Sequence, residues 1–317
     1  MSVPLQVVGL GLATLDILLR LRDMPTWERG APIEALRFDG GGLVGTAIVA
    51  AAKLGARAGF VGTAGTDDAA ELKLRSMIEA GVDLSRLVRR DGPDDQVIIV
   101  HVHADTGERV FSPVGRGSRR PLSPDELDRD YITSADYLHL DGFHAEAALA
   151  AARWMKEAGK TVVFDGSRTT GPIADHQRAL IPYVDVLITG AGFAQALTGH
   201  RDIWQAGDAI LQLGPRIFVE TVGEAGSYTV TAAERFHTPA FRVPVVDTTG
   251  AGDVFHGAYI VGLLHGWPPQ QIALFATAVA ALKCTQLGGR AGIPTFAATM
   301  AFLREHGITF GDERSVK

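Results

Sequence analysis

The chain has 317 residues, 46% hydrophobic and 21% charged, so it carries enough apolar side chain to bury one sizeable core and reads as a single α/β domain over residues 1–317. A net charge of −6 disfavours a nucleic-acid groove, which needs clustered Lys and Arg against phosphate, and no run of eighteen apolar residues offers a membrane span. The single cysteine, Cys284, excludes an intrachain disulfide, and with no basic start before an apolar stretch the amino terminus points to a reducing cytoplasm.

Residues 6–10 predict a strand whose exit, Gly9-Leu10-Gly11, looks like the start of a dinucleotide fingerprint. The match fails downstream, because 15–21 reads as a strand where the fingerprint needs a helix. Segments 16–21 and 31–38 predict strands with no helix between them. Asp39-Gly40-Gly41-Gly42 then leads into an Ala-rich helix over 46–54, and glycines at a helix entrance let backbone approach a ligand without a β-carbon in the way. A strand at 58–62 and a helix at 68–80 follow. Segments 96–103 and 108–114 predict a second pair of strands, turning at Ala104-Asp105-Thr106-Gly107. The loop beyond them holds the one basic cluster, Arg116, Arg119 and Arg120, which reads as solvated.

Strands at 137–140, 161–164, 184–189 and 217–220 alternate with helical runs at 145–158 and 203–213, the rhythm of βαβ units and of a parallel sheet covered on both faces. The two helix-free strand pairs break that rhythm and are expected to leave the sheet as a small β lid, built from insertions near 14–38 and 96–115. One face of such a lid has no core of its own, so it must cover a ligand, a second copy of the chain, or both. His139 and His144 lack carboxylate or cysteine spacing and do not read as a metal site. Arg168, in Asp165-Gly166-Ser167-Arg168, reads as a solvated loop residue.

The most informative stretch is Asp247-Thr248-Thr249-Gly250-Ala251-Gly252-Asp253. Its glycines can take backbone angles closed to bulkier residues, so the amides of Gly250, Ala251 and Gly252 turn toward one point at the positive end of a helix predicted over 254–265. That is an anion site with a carboxylate in it. Asp253 can take the proton of a hydroxyl while the amides hold a phosphoryl group, and phosphoryl transfer needs little beyond such positioning. His256, on the same helix, is expected on its exterior and carries no role. A helix over 272–282 precedes the glycine-rich turn 288–292.

The 247–253 segment, continued by Val254-Phe255-His256-Gly257-Ala258, resembles the C-terminal signature of the ribokinase-like (PfkB) carbohydrate kinases. Gly41-Gly42 with Thr46 resembles the N-terminal signature, except that the family pattern has Asn where Thr46 stands, so its usual sugar-hydroxyl contacts do not carry over. Thr221-Val222-Gly223-Glu224-Ala225-Gly226 resembles the family's Thr-x-Gly-x-x-Gly turn beside ATP, and blocks 280–284 and 288–294 look most like bacterial ketose kinases of the sulfofructose-kinase-like group. The resemblance covers residues 7–294.

It implies a ribokinase-like three-layer α/β/α fold with a mostly parallel central sheet and a small β-sheet lid, and a homodimer formed through that lid. It implies ATP and Mg²⁺, a sugar substrate, Asp253 as base and Gly250, Ala251 and Gly252 as anion hole. Asp16, Gly41, Gly42 and Thr46 would hold the sugar, and Thr221, Gly223, Gly226 and Thr277 would line the nucleotide. Backbone oxygens of Asp247 and Thr249, with the 288–292 turn, would surround a monovalent cation such as K⁺. The family's Asn-x-x-Glu before Leu197-Thr198-Gly199 is replaced by Gly190-Ala191-Gly192-Phe193; that Glu helps organise Mg²⁺, and Asp185, Glu220 and Glu224 are the candidate substitutes. A nucleoside kinase and a non-catalytic sugar- or nucleotide-sensing pseudokinase are the alternative readings, the second motivated by Phe193 and opposed by the retained Asp253.

Overall fold

A computed structural model describes residues 4–114 and 120–310, so Arg116, Arg119 and the last residue of the expected second lid insertion lie outside the described residues. The chain opens with β1 (Val7–Leu10), β2 (Thr14–Leu21) and β3 (Ala35–Gly41), followed by α1 (Leu43–Lys53) and β4 (Ala58–Val61). Two short strands, β5 (Thr63–Ala64) and β6 (Val88–Arg89), bracket α2 (Asp68–Glu79), and β7 (Val97–His103) and β8 (Arg109–Pro113) form a hairpin. Next come α3 (Arg129–Thr133), β9 (Tyr137–Leu140), α4 (Ala145–Glu157), β10 (Thr161–Asp165) and α5 (Asp175–Leu180). The alternation continues through β11 (Val186–Gly190), α6 (Phe193–Thr198), α7 (Ile203–Leu211) and β12 (Ile217–Thr221). Antiparallel strands β13 (Ser227–Thr231) and β14 (Arg235–Thr238) and helices α8 (Ala251–Leu264), α9 (Pro269–Lys283) and α10 (Phe296–Glu305) complete it.

The central sheet runs β14-β13-β12-β11-β10-β9-β1-β4, parallel from β12 to β4 with β13 and β14 antiparallel at one edge. Side chains alternate across its strands, so successive residues Val7 and Val8 enter opposite cores: Val7 joins Ile48, Tyr259 and Phe275 under α1, α8 and α9, while Val8 joins Leu138, Met155 and Ile210 under α4 and α7. Each such apolar side chain contributes about 1.5–3 kcal/mol when fully buried. Helices α1 and α8 meet backbone to backbone, since a β-carbon on Gly257 would collide with the carbonyl of Ala47. Strand β1 is flanked by β4 on one side and β9 on the other, and at such a reversal of chain direction the carboxyl ends of the strands open a crevice.

The two helix-free strand pairs form one four-stranded sheet, β3-β2-β7-β8, joined by parallel pairing of β2 with β7. Its register puts Asp16 opposite Asp39 and Ile98, and Leu18 opposite Arg37 and Val100. One face therefore carries Asp16, Leu18, Asp39, Val100 and Val102 inward, where all five are buried. The other carries Leu36, Phe38 and Val110, which are 58%, 50% and 57% exposed, too much apolar surface for a face meant for water. Strand β3 runs later than the sequence predicts and takes the glycines with it, because Gly40 and Gly41 pair with Leu15 and Thr14.

Candidate active site

The anion loop is built by Asp247. Its Oδ1 accepts from the Thr249 amide and hydroxyl at 2.8 and 2.7 Å, and its Oδ2 accepts from the Gly288 amide at 2.8 Å. Gly250 caps α8 at φ 73°, an angle that strains any residue with a β-carbon, so the helix starts at Ala251, three residues before the sequence expectation. Asp253 consequently lies in the first turn. The Ala251 amide turns back to the Thr248 carbonyl at 3.2 Å, while the Gly252 and Asp253 amides find no backbone acceptor among the described residues. Gly252 is exposed, with open space where a β-carbon would project. The donors at the positive helix end with no acceptor among the described residues are thus those of Gly250, Gly252 and Asp253.

The Asp253 carboxyl is partly accessible, and desolvation, with the Asp165 and Asp16 carboxylates adding to it, pushes it up to about 8 against the pull of Arg109 and Lys283. Asp165, at the end of β10, accepts from the Ser167 amide at 2.6 Å and lies 3.6 Å from His256 Nε2. His256 is 3% exposed, which corrects the expectation of an exterior position: α8 is buried continuously over 254–262, so it has no exterior stripe there. Burial pushes both His256 and its neighbour His139 down to about 3, leaving two neutral rings behind the base. His139, Asp165 and His256 offer ligand-capable atoms within 4.8 Å of one another, a grouping invisible in the sequence because it joins β9, β10 and α8; His144 is not part of it.

Asp16 is held on the lid's inner face with one oxygen accepting from Thr14 Oγ1 at 2.6 Å. Its carboxyl is pushed up to about 6, mainly by desolvation, and a β-carbon on Gly41 would occupy its place. Asp141, at the end of β9, fixes the neighbouring loop by accepting from the Leu12 amide at 2.8 Å. Arg290, 1% exposed, ties these parts together. Its guanidinium donates to the Gly41 carbonyl, to Ser76 Oγ at 3.0 Å, to the Lys73 carbonyl at 3.3 Å and to Thr46 Oγ1 at 3.4 Å, and its amide donates to Asp39 Oδ2 at 3.0 Å. Thr46 is fully buried with its hydroxyl on Arg290, so it backs the site instead of lining it. From the lid, Arg109 donates to Thr248 Oγ1, placing a cation over the anion loop. Sequence reasoning missed Asp141, Arg109 and Arg290; only the end-of-strand position of Asp141 gave a signal.

At the other end, Thr221 closes β12 with its hydroxyl on the Thr189 carbonyl at 3.1 Å, and Gly223 and Gly226 shape the following turn. Thr277 is buried and spends its hydroxyl proton on Ala273 O at 2.7 Å, within its own helix. Phe193 is fully buried at the start of α6. Of its candidate substitutes, Asp185 accepts from the Val162 amide and pairs with Lys156, at the amino ends of the strands, and Glu224 lies exposed in a turn. Glu220 is 8% exposed, lies beside the amides of Gly192 and Ala194, and has no partner for Oε2 among the described residues. The carbonyl of Asp247 accepts from Lys283 Nζ at 3.0 Å, so the residues present do not fit a resident cation on that oxygen.

Residues 11–296 match the description of the pfkB family carbohydrate kinases. The chain belongs to that family. Over 302 residues it is 32% identical to an ATP-dependent ribose-1-phosphate kinase of Halopiger xanaduensis, covering 95% of this chain and 98% of the relative. It is 30% identical over 284 residues to an aminoimidazole riboside kinase of Salmonella typhimurium, covering 84% and 89%. The crystal structure of a ribokinase from Thermotoga maritima superposes with a TM-score of 0.81 at 27% identity, covering 95% of this chain and 99% of that one. This PfkB protein therefore has the ribokinase-like fold and is a carbohydrate kinase, a phosphotransferase with an alcohol acceptor. Among its described residues no helix is long and apolar enough to cross a membrane.

Proposed function

We propose that this kinase moves the γ-phosphoryl group of ATP to a hydroxyl of a small sugar or sugar derivative, with Asp253 as general base. The observation that carries the reading is the Asp253 carboxyl in the first turn of α8, beside the uncommitted amides of Gly252 and Asp253 and the open space over Gly252. Charge on the moving phosphoryl group meets those amides, and the acceptor's proton passes to Asp253. Gly250 adds its own amide, which has no backbone acceptor among the described residues, and Ala251 holds the turn through its amide on the Thr248 carbonyl. Asp16 keeps an acceptor oxygen for a sugar hydroxyl, Gly41 leaves it room, and Gly42 turns the chain into α1. Thr221, Gly223 and Gly226 form the nucleotide turn, and Thr277, buried in α9, lines the nucleotide from that helix. The chain works as one domain over 1–317, with the lid insertions near 14–38 and 96–115 covering the sugar.

Mg²⁺ would supply charge neutralisation at the nucleotide phosphates. The chain's own contribution is Glu220, whose free Oε2 sits at the start of α6, where the family's missing carboxylate would stand. The apolar outer lid face supports pairing of two copies through the lid, and a buried free Cys284 suits a cytoplasmic setting.

The ribose-1-phosphate relative, with Arg109 exposed on the lid as a cation for a phosphorylated acceptor, puts ribose-1-phosphate first among substrates. The riboside kinase relative favours a nucleoside as the second reading. An ADP-release assay over sugar phosphates, pentoses, ketoses and nucleosides tests the assignment: turnover of a sugar or its phosphate supports it, and turnover confined to nucleosides replaces it with the second reading. Binding with no turnover of any acceptor would leave a sensor.

A further inference from the structure

Lys283, the last residue of α9, is fully buried, and its ammonium donates to the main-chain carbonyl of Asp247 at 3.0 Å. Among the described residues it forms no ion pair, whereas the other fully buried lysine, Lys73, pairs with Asp94 at 2.6 Å. Burying an ammonium without a carboxylate on it is costly, so the fold gains something from a cation at this point. The point is specific. Both carboxylate oxygens of Asp247 are already taken by Thr249 and Gly288, which leaves its carbonyl as the acceptor facing α9. The glycine-rich turn closes over the same place, since a β-carbon on Gly292 would strike the Lys283 carbonyl and one on Gly250 would lie 3.0 Å from the Gly289 carbonyl. Lys283 thus stands between the anion loop and the turn that the resemblance pairs around a dissociable ion.

We infer that the Lys283 ammonium is a built-in monovalent cation for the 247–253 loop, replacing a dissociable K⁺, and that the loop holds its working shape without one. An ammonium carries the same single charge and meets a carbonyl at hydrogen-bonding distance, but it is anchored to α9 and cannot be lost by dilution. Two cations cannot share one buried carbonyl, so the lysine excludes the ion from this oxygen. Lys283 is a positioning residue: it acts through Asp247 and does not touch substrate. The inference rests on the kinase reading for the meaning of the loop and on geometry alone for the position of the charge.

The test compares wild type, Lys283→Ala and Lys283→Met in KCl, ammonium chloride and tetramethylammonium chloride at equal ionic strength. It reads thermal unfolding without substrate and, separately, kcat and KM. Wild type is expected to unfold at the same temperature and turn over at the same rate in all three salts. Lys283→Ala, which opens space beside the carbonyl, should lose about tenfold or more in kcat in tetramethylammonium, recover in K⁺ or ammonium, and unfold at a temperature that rises saturably with either ion. Lys283→Met fills that space with a neutral chain and should show the loss without the recovery. Wild type activated or specifically stabilised by K⁺ overturns the inference, as does a folded Lys283→Ala indifferent to K⁺ and ammonium. Should Lys283→Ala fail to fold, the wild-type response decides. A wild type that turns nothing over while remaining indifferent to the cation defeats the kinase reading and leaves this one standing.

Discussion

The guanidinium of Arg290 donates to the carbonyl of Gly41, joining the turn after α9 to the glycine run beside Asp16 across 249 residues of sequence. Replacing Arg290 with Leu takes the guanidinium from the Gly41 carbonyl and the Thr46 hydroxyl in a buried place, at a cost on the order of 3 kcal/mol. Arg290→Lys keeps the charge but not the fork of donors and should recover little. Denaturant unfolding reads the stability, and steady-state kinetics should show a larger rise in sugar KM than fall in kcat, since the lost contacts hold Asp16's surroundings and not the base.

The raised Asp253 carboxyl sets a pH dependence. In the free enzyme it stays protonated up to about 8, and only the ionised form can take the acceptor's proton, so kcat/KM should climb with pH to about 8 instead of levelling above the ordinary carboxylate range. Stability runs the other way. A carboxyl whose folded value exceeds its unfolded value of about 3.9 holds its proton more firmly in the folded state, so its contribution falls as pH rises from about 3.9 toward 8. Asp253→Asn should therefore unfold at a higher temperature than wild type above pH 8, with the gap closing toward pH 4, as scanning calorimetry across that range would show.

Arg109 couples the lid to the base. It bonds Thr248 and opposes the rise of Asp253, so Arg109→Ala should move the acid limb of the kcat/KM profile to higher pH and lower turnover near neutrality by about tenfold. If Arg109 also meets a phosphate on the acceptor, KM for ribose-1-phosphate should rise more than KM for ribose. An unshifted profile would separate the lid from the base.

The outer lid face predicts its own disruption. Phe38→Glu puts a charge among Leu36, Val110 and its own former ring surface, and it should convert a dimer into monomers in sedimentation velocity while leaving the folded core intact. A wild type that sediments as a monomer at all concentrations would leave the apolar face to some other cover.

Much of the fold was legible in the sequence. The strand and helix rhythm located every parallel strand of the central sheet, because fully buried runs such as Val7–Leu10 and Ala58–Val61 are bounded by turns, and the helix-free pairs located the lid. Strands β13 and β14 escaped because Ser-Tyr-Thr-Val-Thr and Arg-Phe-His-Thr alternate too weakly over too few residues, and α10 lies beyond the last motif. The loop carrying Asp253 announced itself as a contiguous segment, whereas Arg290, Arg109, Lys283 and the pairing of Asp165 with His256 depend on contacts between distant elements. Helix α8 is apolar almost all round, so no periodicity could say where His256 would face.

The most direct test is turnover by Asp253→Asn against its binding of ATP and sugar, measured by ADP release and calorimetry on the same preparation. A general base in that place predicts binding close to wild type and kcat lower by about 10²- to 10⁴-fold. Turnover within a few-fold of wild type would show that the acceptor's proton leaves by another route.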